Sequence, residues 1–344
     1  MENVDETLPE MPDENITAST AEPVVYPPKF RKPEQAQTNA WLRSITSLAL
    51  YLALGYVIFK QWEVLLLITA IVMIHEFGHF FAMKFFGYSE LGIFFIPLLG
   101  AYVSGTKREV SQKQSAIILL AGPLPGIIIG MIFFGLNQQG GHYLFGMSYT
   151  FIGLLFIILN VLNLLPIYPL DGGQLLNRVF LDEDSIWSKL FIFISIGLLG
   201  WFAISRYLST HNSFYFVLMV FPLMMLFRLA GDKKLTGIEK KIEGEGIHLD
   251  VDYAGMPDAD YWKIRNILIA DHPSFKDLKP TPPFEFDVKE EKVMSTIQGL
   301  LHRHVIQDIS PVGKIVIAVT WVAAFIAPWL LDMYEFVRTG YIPR

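Results

Sequence analysis

The chain has 344 residues, of which 52% are hydrophobic and 17% charged, with no cysteine and a formal net charge of −6. A soluble domain carries about 25% charged and about 45–50% apolar residues, so the charge deficit points to long uncharged stretches and a multispanning membrane protein. The missing cysteines exclude disulfide scaffolds, cysteine-ligated zinc and thiol nucleophiles, and the acidic balance excludes a nucleic-acid partner, which needs a basic face.

Residues 1–44 read as an acidic, proline-rich tail. Glu2, Asp5, Glu6, Glu10, Asp13, Glu14 and Glu22 precede the first basic residue, and Pro9, Pro12, Pro23, Pro27, Pro28 and Pro33 are interspersed. A signal peptide starts basic and turns apolar, so this is not a targeting segment. Its composition predicts a solvated, disordered stretch.

Apolar segments follow near 45–60, 64–86, 115–136, 147–169, 188–205, 213–230 and 312–331. A bilayer-crossing helix needs about 17–25 residues, which makes the first and fifth short but adequate. Leu91 to Val103 is too short to span and is interrupted by Pro97 and Gly100, which suits a re-entrant hairpin between the second and third helices. Lys and Arg cluster before the first segment, between the second and third, between the fourth and fifth, and after the sixth. By the positive-inside rule the tail, the hairpin and segment 231–310 are cytoplasmic and the C-terminus lies outside. The expected fold is therefore an all-α polytopic membrane protein of about seven helices. A six-helix core would occupy 45–230, a small cytoplasmic segment 231–310, and a seventh helix with a short outer tail 311–344. Val293, Ile297, Leu300, Leu301 and Val305 fall on one helical face, which would pack either on its own small domain or on the membrane surface.

Chemistry enters with His75-Glu76-Phe77-Gly78-His79 in the second segment. Histidines at i and i+4 share one helical face and can grip one zinc ion, with Glu76 beside them to take a proton from water. Two histidines and a glutamate in an apolar span cost several kcal/mol, which favours a functional site over a buried polar pair. A catalytic zinc wants a third protein ligand. The first, third and seventh segments hold no histidine or carboxylate in their interiors, and His142 and His211 fall on outer loops. His248, His272, His302 and His304 fall on soluble sequence. Asp171, at the cytoplasmic end of the fourth segment, remains. Pro166 and Pro169 unwind the chain before it, and Gly172 and Gly173 follow it.

His75-Glu76-Phe77-Gly78-His79, then Ala121-Gly122-Pro123, then Asn163…Pro166…Leu170-Asp171-Gly172-Gly173 resemble the site-2 protease family of intramembrane zinc metalloproteases over roughly 64–180. The resemblance implies one zinc per chain on His75, His79 and Asp171, with Glu76 as base. It also implies that Asn163 helps hold substrate or intermediate, and that single-pass membrane helices in a lipid bilayer are cleaved. The expected setting is a bacterial cytoplasmic membrane with the N-terminus cytoplasmic. One departure concerns Gly126, where many members carry asparagine. Gly122, Gly126 and Gly130 instead form a stripe that admits a close neighbouring helix. The alternatives are a metal transporter, which needs further ligands along a path, and an inactive relative that binds membrane helices.

Overall fold

A computed structural model describes residues 25–31, 40–97, 100–107, 110–137, 141–182, 185–249, 251–301 and 306–330. His302, His304 and Val305, and nearly all of the tail, fall outside them. Each of the seven apolar segments contains a helix. Five are long and apolar enough to cross a membrane, namely Trp62–Phe85, Gln112–Leu136, Ile186–Thr210, Tyr215–Gly244 and Pro311–Leu330, while Leu42–Ile58 and Tyr149–Asn163 are shorter apolar helices.

In chain order, α1 (Ala40–Phe59) and α2 (Trp62–Phe85) are followed by a β-hairpin of β1 (Ser89–Ile96) and β2 (Gly100–Thr106). The strands are antiparallel, pairing Ile93 with Val103 and Phe95 with Ala101. The turn is reached through Pro97 and Gly100, whose φ of 106° suits glycine. The hairpin is pinned to α1, because Ser47 Oγ accepts from the Phe95 backbone N–H at 3.1 Å and Tyr51 packs on the Phe95 ring.

α3 (Gln112–Ala121) and α4 (Pro123–Leu136) form one span broken at Gly122. Ser111 caps α3 by accepting from Gln114 N–H at 3.1 Å. A short hairpin of β3 (Tyr143–Leu144) and β4 (Met147–Ser148) leads into α5 (Tyr149–Asn163), which lies against α4. The approach is close: a Cβ on Gly130 would stand 2.7 Å from the Gly153 carbonyl oxygen. The fourth segment thus stops being helical at Asn163, short of the expected 169, because Pro166 and Pro169 lack the amide hydrogens a helix needs. α6 (Asp171–Leu175) resumes the helix and widens into a π turn over Leu176–Phe180.

α7 (Ile186–Thr210) extends beyond the expected 188–205 at both ends, capped by Ser185, whose side chain accepts from Ser188 N–H at 3.0 Å. α8 (Val220–Gly244) runs through position 230 without a break, so the apolar span and the polar part after it are joined by continuous helix rather than by a linker. Lys233 and Lys234 end the apolar character there but are good helix formers.

α9 (Asp258–Asp271) and α10 (Glu290–Leu301) complete a small domain whose core includes Ile238 and Ile242 of α8, Trp262, Phe275, Val293 and Ile297. The apolar face of α10 therefore packs on its own domain. Within the stretch read as solvated tail, residues 25–31 also lie on this domain, where Tyr26 and Phe30 pack against its core. Aromatic side chains and prolines give that short piece surface to bury that its acidic neighbours lack. Finally, α11 (Pro311–Leu330) packs on α4 and α5. Its Trp321 Nε1–H donates to the Leu164 carbonyl at 2.8 Å, satisfying an acceptor freed where α5 ends.

Candidate metal centre

α2 is apolar along its length apart from its ends and the His75–His79 turn, and the 3.6-residue period stacks the two imidazoles one turn apart. Their ring centroids lie 4.7 Å apart and their Nε2 atoms 3.0 Å apart. Asp171 arrives from the start of α6 and places Oδ2 3.0 Å from His75 Nε2 and 3.3 Å from His79 Nε2. Among the described residues this is the one cluster of three or more histidine or carboxylate groups with ligand atoms close enough to share a metal.

Both Nδ1 atoms are engaged on the far side of the rings. His75 Nδ1 lies 2.8 Å from Asn160 Oδ1, and His79 Nδ1 lies 2.8 Å from the Ile118 carbonyl. A carbonyl oxygen only accepts, so the network assigns the ring proton to Nδ1 of His79. The same assignment holds for His75, because the Asn160 amide nitrogen donates to the Phe156 carbonyl at 2.7 Å. In the neutral rings each Nε2 then presents a lone pair, and Asp171 Oδ2, a buried atom with no hydrogen-bond partner, presents another.

Three such lone pairs converging on one point repel one another unless a proton or a metal cation sits among them. For metal–ligand distances of about 2.0–2.1 Å, the edges of a tetrahedron are about 3.3–3.4 Å. The observed separations are close to that, and the donor set of two imidazoles and one carboxylate fits zinc. Asn160 and Ile118 occupy the positions of the outer groups that fix ligand tautomers.

The surroundings are shaped to admit these side chains. A Cβ on Gly122 would stand 2.3 Å from His79 Nε2, one on Gly126 2.1 Å from Asn160 Nδ2, and one on Gly78 1.9 Å from the Ala121 carbonyl oxygen. The stripe predicted to admit a neighbouring helix thus admits functional side chains at two of its three positions. Gly126 is the space that Asn160 fills.

Asn160 was not singled out by the sequence motifs, which drew attention to Asn163 three residues on. Its signal was available: a fully amidic side chain in an apolar helix interior, now 1% exposed. Asn163 lines the same cavity without being the amide that touches an imidazole. Glu76 is buried beside His75 and lines that cavity together with Val103 of β2 and Gln174. The cavity measures about 920 Å³ and is bounded further by Arg178 and by Phe221, Met224 and Arg228 of α8. Arg228 donates to the Tyr168 hydroxyl and lies over its ring. His142 and His211 flank connections between helices, and His248 and His272 lie with the small α9–α10 domain, so none of the four joins the cluster.

A membrane protein with buried imidazoles and a carboxylate around a cation-sized gap belongs among metal-dependent membrane enzymes or carriers. Sequence comparison narrows the class. Residues 63–143 match Peptidase family M50. The chain is 29% identical over 143 residues to a zinc metalloprotease of Methanocaldococcus jannaschii, covering 40% of each chain. It is 31% identical over 150 residues to the stage IV sporulation protein FB of Bacillus subtilis, covering 41% of this chain and 50% of that one. These matches show the similarity to the site-2 protease family that the motifs carried. The chain spans half or less of the length of these relatives. A solved site-2 protease from Methanocaldococcus jannaschii aligns with a TM-score of 0.39 at 23% identity, over 53% of this chain and 84% of that one.

Proposed function

We propose that the chain is an intramembrane zinc metalloprotease that hydrolyses peptide bonds within or near the transmembrane helices of other membrane proteins. In this reading one zinc is held by His75, His79 and Asp171. The carrying observation is the set of three mutually close ligand atoms on His75, His79 and Asp171, with Asp171 Oδ2 left without a hydrogen-bond partner. Bound there, zinc supplies Lewis-acid polarisation of a peptide carbonyl and brings the pKa of a water down to about 7.

The chain's own residues would do the rest. Glu76 shares the cavity with the ligands and is the base that takes a proton from the attacking water and passes it to the leaving amine. Asn163, which lines the same cavity, would help hold the substrate or stabilise the intermediate. β2 contributes Gly100, Ala101, Tyr102 and Val103 to the wall, so its outer edge is the natural seat for an extended substrate strand. Such a strand exposes carbonyls that a helix hides in hydrogen bonds. All seven apolar helices would span the bilayer, with the hairpin re-entrant, the N-terminus cytoplasmic and 45–230 as the proteolytic core. The substrate would be a single-pass protein, and the setting a bacterial cytoplasmic membrane. A transport path would need further ligand groups, and the described residues supply one cluster.

The test is detergent-purified chain assayed for bound metal and for cutting of transmembrane peptides. One zinc per chain is expected, with cleavage lost to a chelator and restored by zinc. Metal uptake into proteoliposomes by a zinc-loaded chain that cuts nothing would overturn the reading in favour of transport.

A further inference from the structure

The small cytoplasmic domain has a complete core of its own, drawn from residues 238–301. Residues 25–31 lie on that core, with Tyr26 and Phe30 half-buried against it, and are held there by a dense set of specific contacts. Trp262 Nε1–H donates to the Pro27 carbonyl at 2.8 Å, and the Tyr253 hydroxyl donates to the Phe30 carbonyl at 2.7 Å. Tyr26 meets the Phe284 ring edge-on at 5.6 Å, and Phe30 meets Phe286 at 5.3 Å. Phe286 is itself stacked on Trp262, with 10° between the planes.

Lys29 is the anchor. Its side chain is 7% exposed, and a buried ammonium needs every donor satisfied. Nζ donates to the Ala254 carbonyl at 2.9 Å and to the Met256 carbonyl, with the Tyr253 ring centroid 5.7 Å away. The Lys29 backbone N–H donates to Asp258 Oδ1 at 2.9 Å.

Each element of this contact has a recognisable physical purpose. Two consecutive prolines restrict the backbone before it binds, and their carbonyls are free because proline segments use none internally. Flat aromatic walls with an indole and a phenol as donors suit such a backbone. The carbonyls of Ala254 and Met256 make a pocket for a compact point charge, which a lysine fits.

We infer that the domain is a binding module for extended peptides of the pattern aromatic–Pro–Pro–Lys–aromatic. Residues 25–31 occupy its groove in cis, and a segment of that chemistry on another protein is its ligand in trans. The site is remote from the metal centre and is independent of the proteolytic reading. A tethered segment competes at a millimolar effective concentration, so the groove is masked against the trans ligand while the cis segment is seated.

The experiment uses the full chain in detergent, unaltered and with residues 25–31 replaced by glycine and serine. A fluorescent peptide of residues 24–32 is followed by anisotropy. Saturable binding to the replaced chain is expected. It should weaken at least about tenfold when the peptide carries Lys29→Ala, the loss of charge-assisted hydrogen bonds. Binding to the unaltered chain should be about a hundredfold weaker. No saturable binding to the replaced chain, equal binding to the unaltered chain, or indifference to Lys29→Ala would overturn the inference. If the replacement unfolds the domain, as judged by near-ultraviolet circular dichroism, Lys29→Ala in the full chain takes its place. Peptide binding above that of the unaltered chain is then expected, and no increase overturns the inference.

Discussion

Two buried carboxylates in this molecule have opposite surroundings. Glu290, fully buried in the soluble domain, receives Arg265 Nε–H at 2.8 Å and Nη2–H at 3.1 Å, the Tyr261 hydroxyl, and the Asp287 backbone N–H at 3.3 Å. Arg265 uses a remaining donor on the Lys279 carbonyl at 3.0 Å. Burial, and then the hydrogen bond to Glu290, push the Tyr261 phenol up from its ordinary value, which keeps it a donor. Asp171 instead turns Oδ2 toward the Nε2 atoms of two imidazoles and has no hydrogen-bond partner there. A buried charge whose partners are all supplied by the chain is a device of the fold. A buried charge that faces only other potential metal ligands is a place where a cation the chain does not encode would be stabilised.

That contrast can be broken by substitution, and the largest effect belongs to the metal centre. Glu76→Gln is expected to lower peptide cleavage by about 10²–10⁴-fold while leaving one zinc per chain. Metal analysis beside a cleavage assay checks both, and near-normal turnover would remove Glu76 from the role of base. Glu290→Gln should do the reverse. It leaves Arg265 buried against a neutral amide and is expected to cost the soluble domain about 3–5 kcal/mol. Hydrogen exchange of α9 amides reads the loss, and zinc content should not change.

A smaller effect is expected at Asn160. Asn160→Leu removes the acceptor that orients His75, and zinc affinity should fall by about 10–100-fold. Competition with a chromophoric chelator measures it, and Asn163→Leu serves as the comparison that should spare affinity.

The smallest effect concerns His272. Partial burial, then Lys292 and Lys234, hold its pKa below the ordinary histidine value. The unfolded chain then binds the proton more readily, so stability is intact above about pH 6.5 and declines as pH falls below it. His272→Gln should flatten that decline in the urea midpoint of the domain, and an unchanged slope would exclude His272 as its source.

The same comparison explains what the amino-acid order revealed. The imidazole pair was legible because helical spacing alone brings His75 and His79 to one face. Asp171 followed by elimination and by the prolines that end α5, and the hairpin followed from Pro97 and Gly100. Asn160 was passed over because nothing within α5 indicates that its amide meets a histidine of α2. The seating of residues 25–31 was equally hidden. Their composition is that of a solvated tail, and the Trp262 and Phe286 rings they meet lie more than two hundred residues away in the chain. Local periodicity also showed the apolar face of α10 but not its partner, and the lysines after position 230 suggested a boundary where the helix simply continues.

That continuity has a mechanical consequence. Phe221, Met224 and Arg228 wall the cavity, while Ile238 and Ile242 of the same rod are embedded in the soluble core. From Arg228 to Ile238 is about 15 Å at about 1.5 Å per residue, all of it helix. One continuous helix therefore carries both part of the small domain's core and the Arg228 guanidinium at the cavity wall. The Tyr168 ring beneath that guanidinium belongs to the unwound stretch leading to Asp171, so the small domain and the metal centre are joined by an unbroken series of contacts.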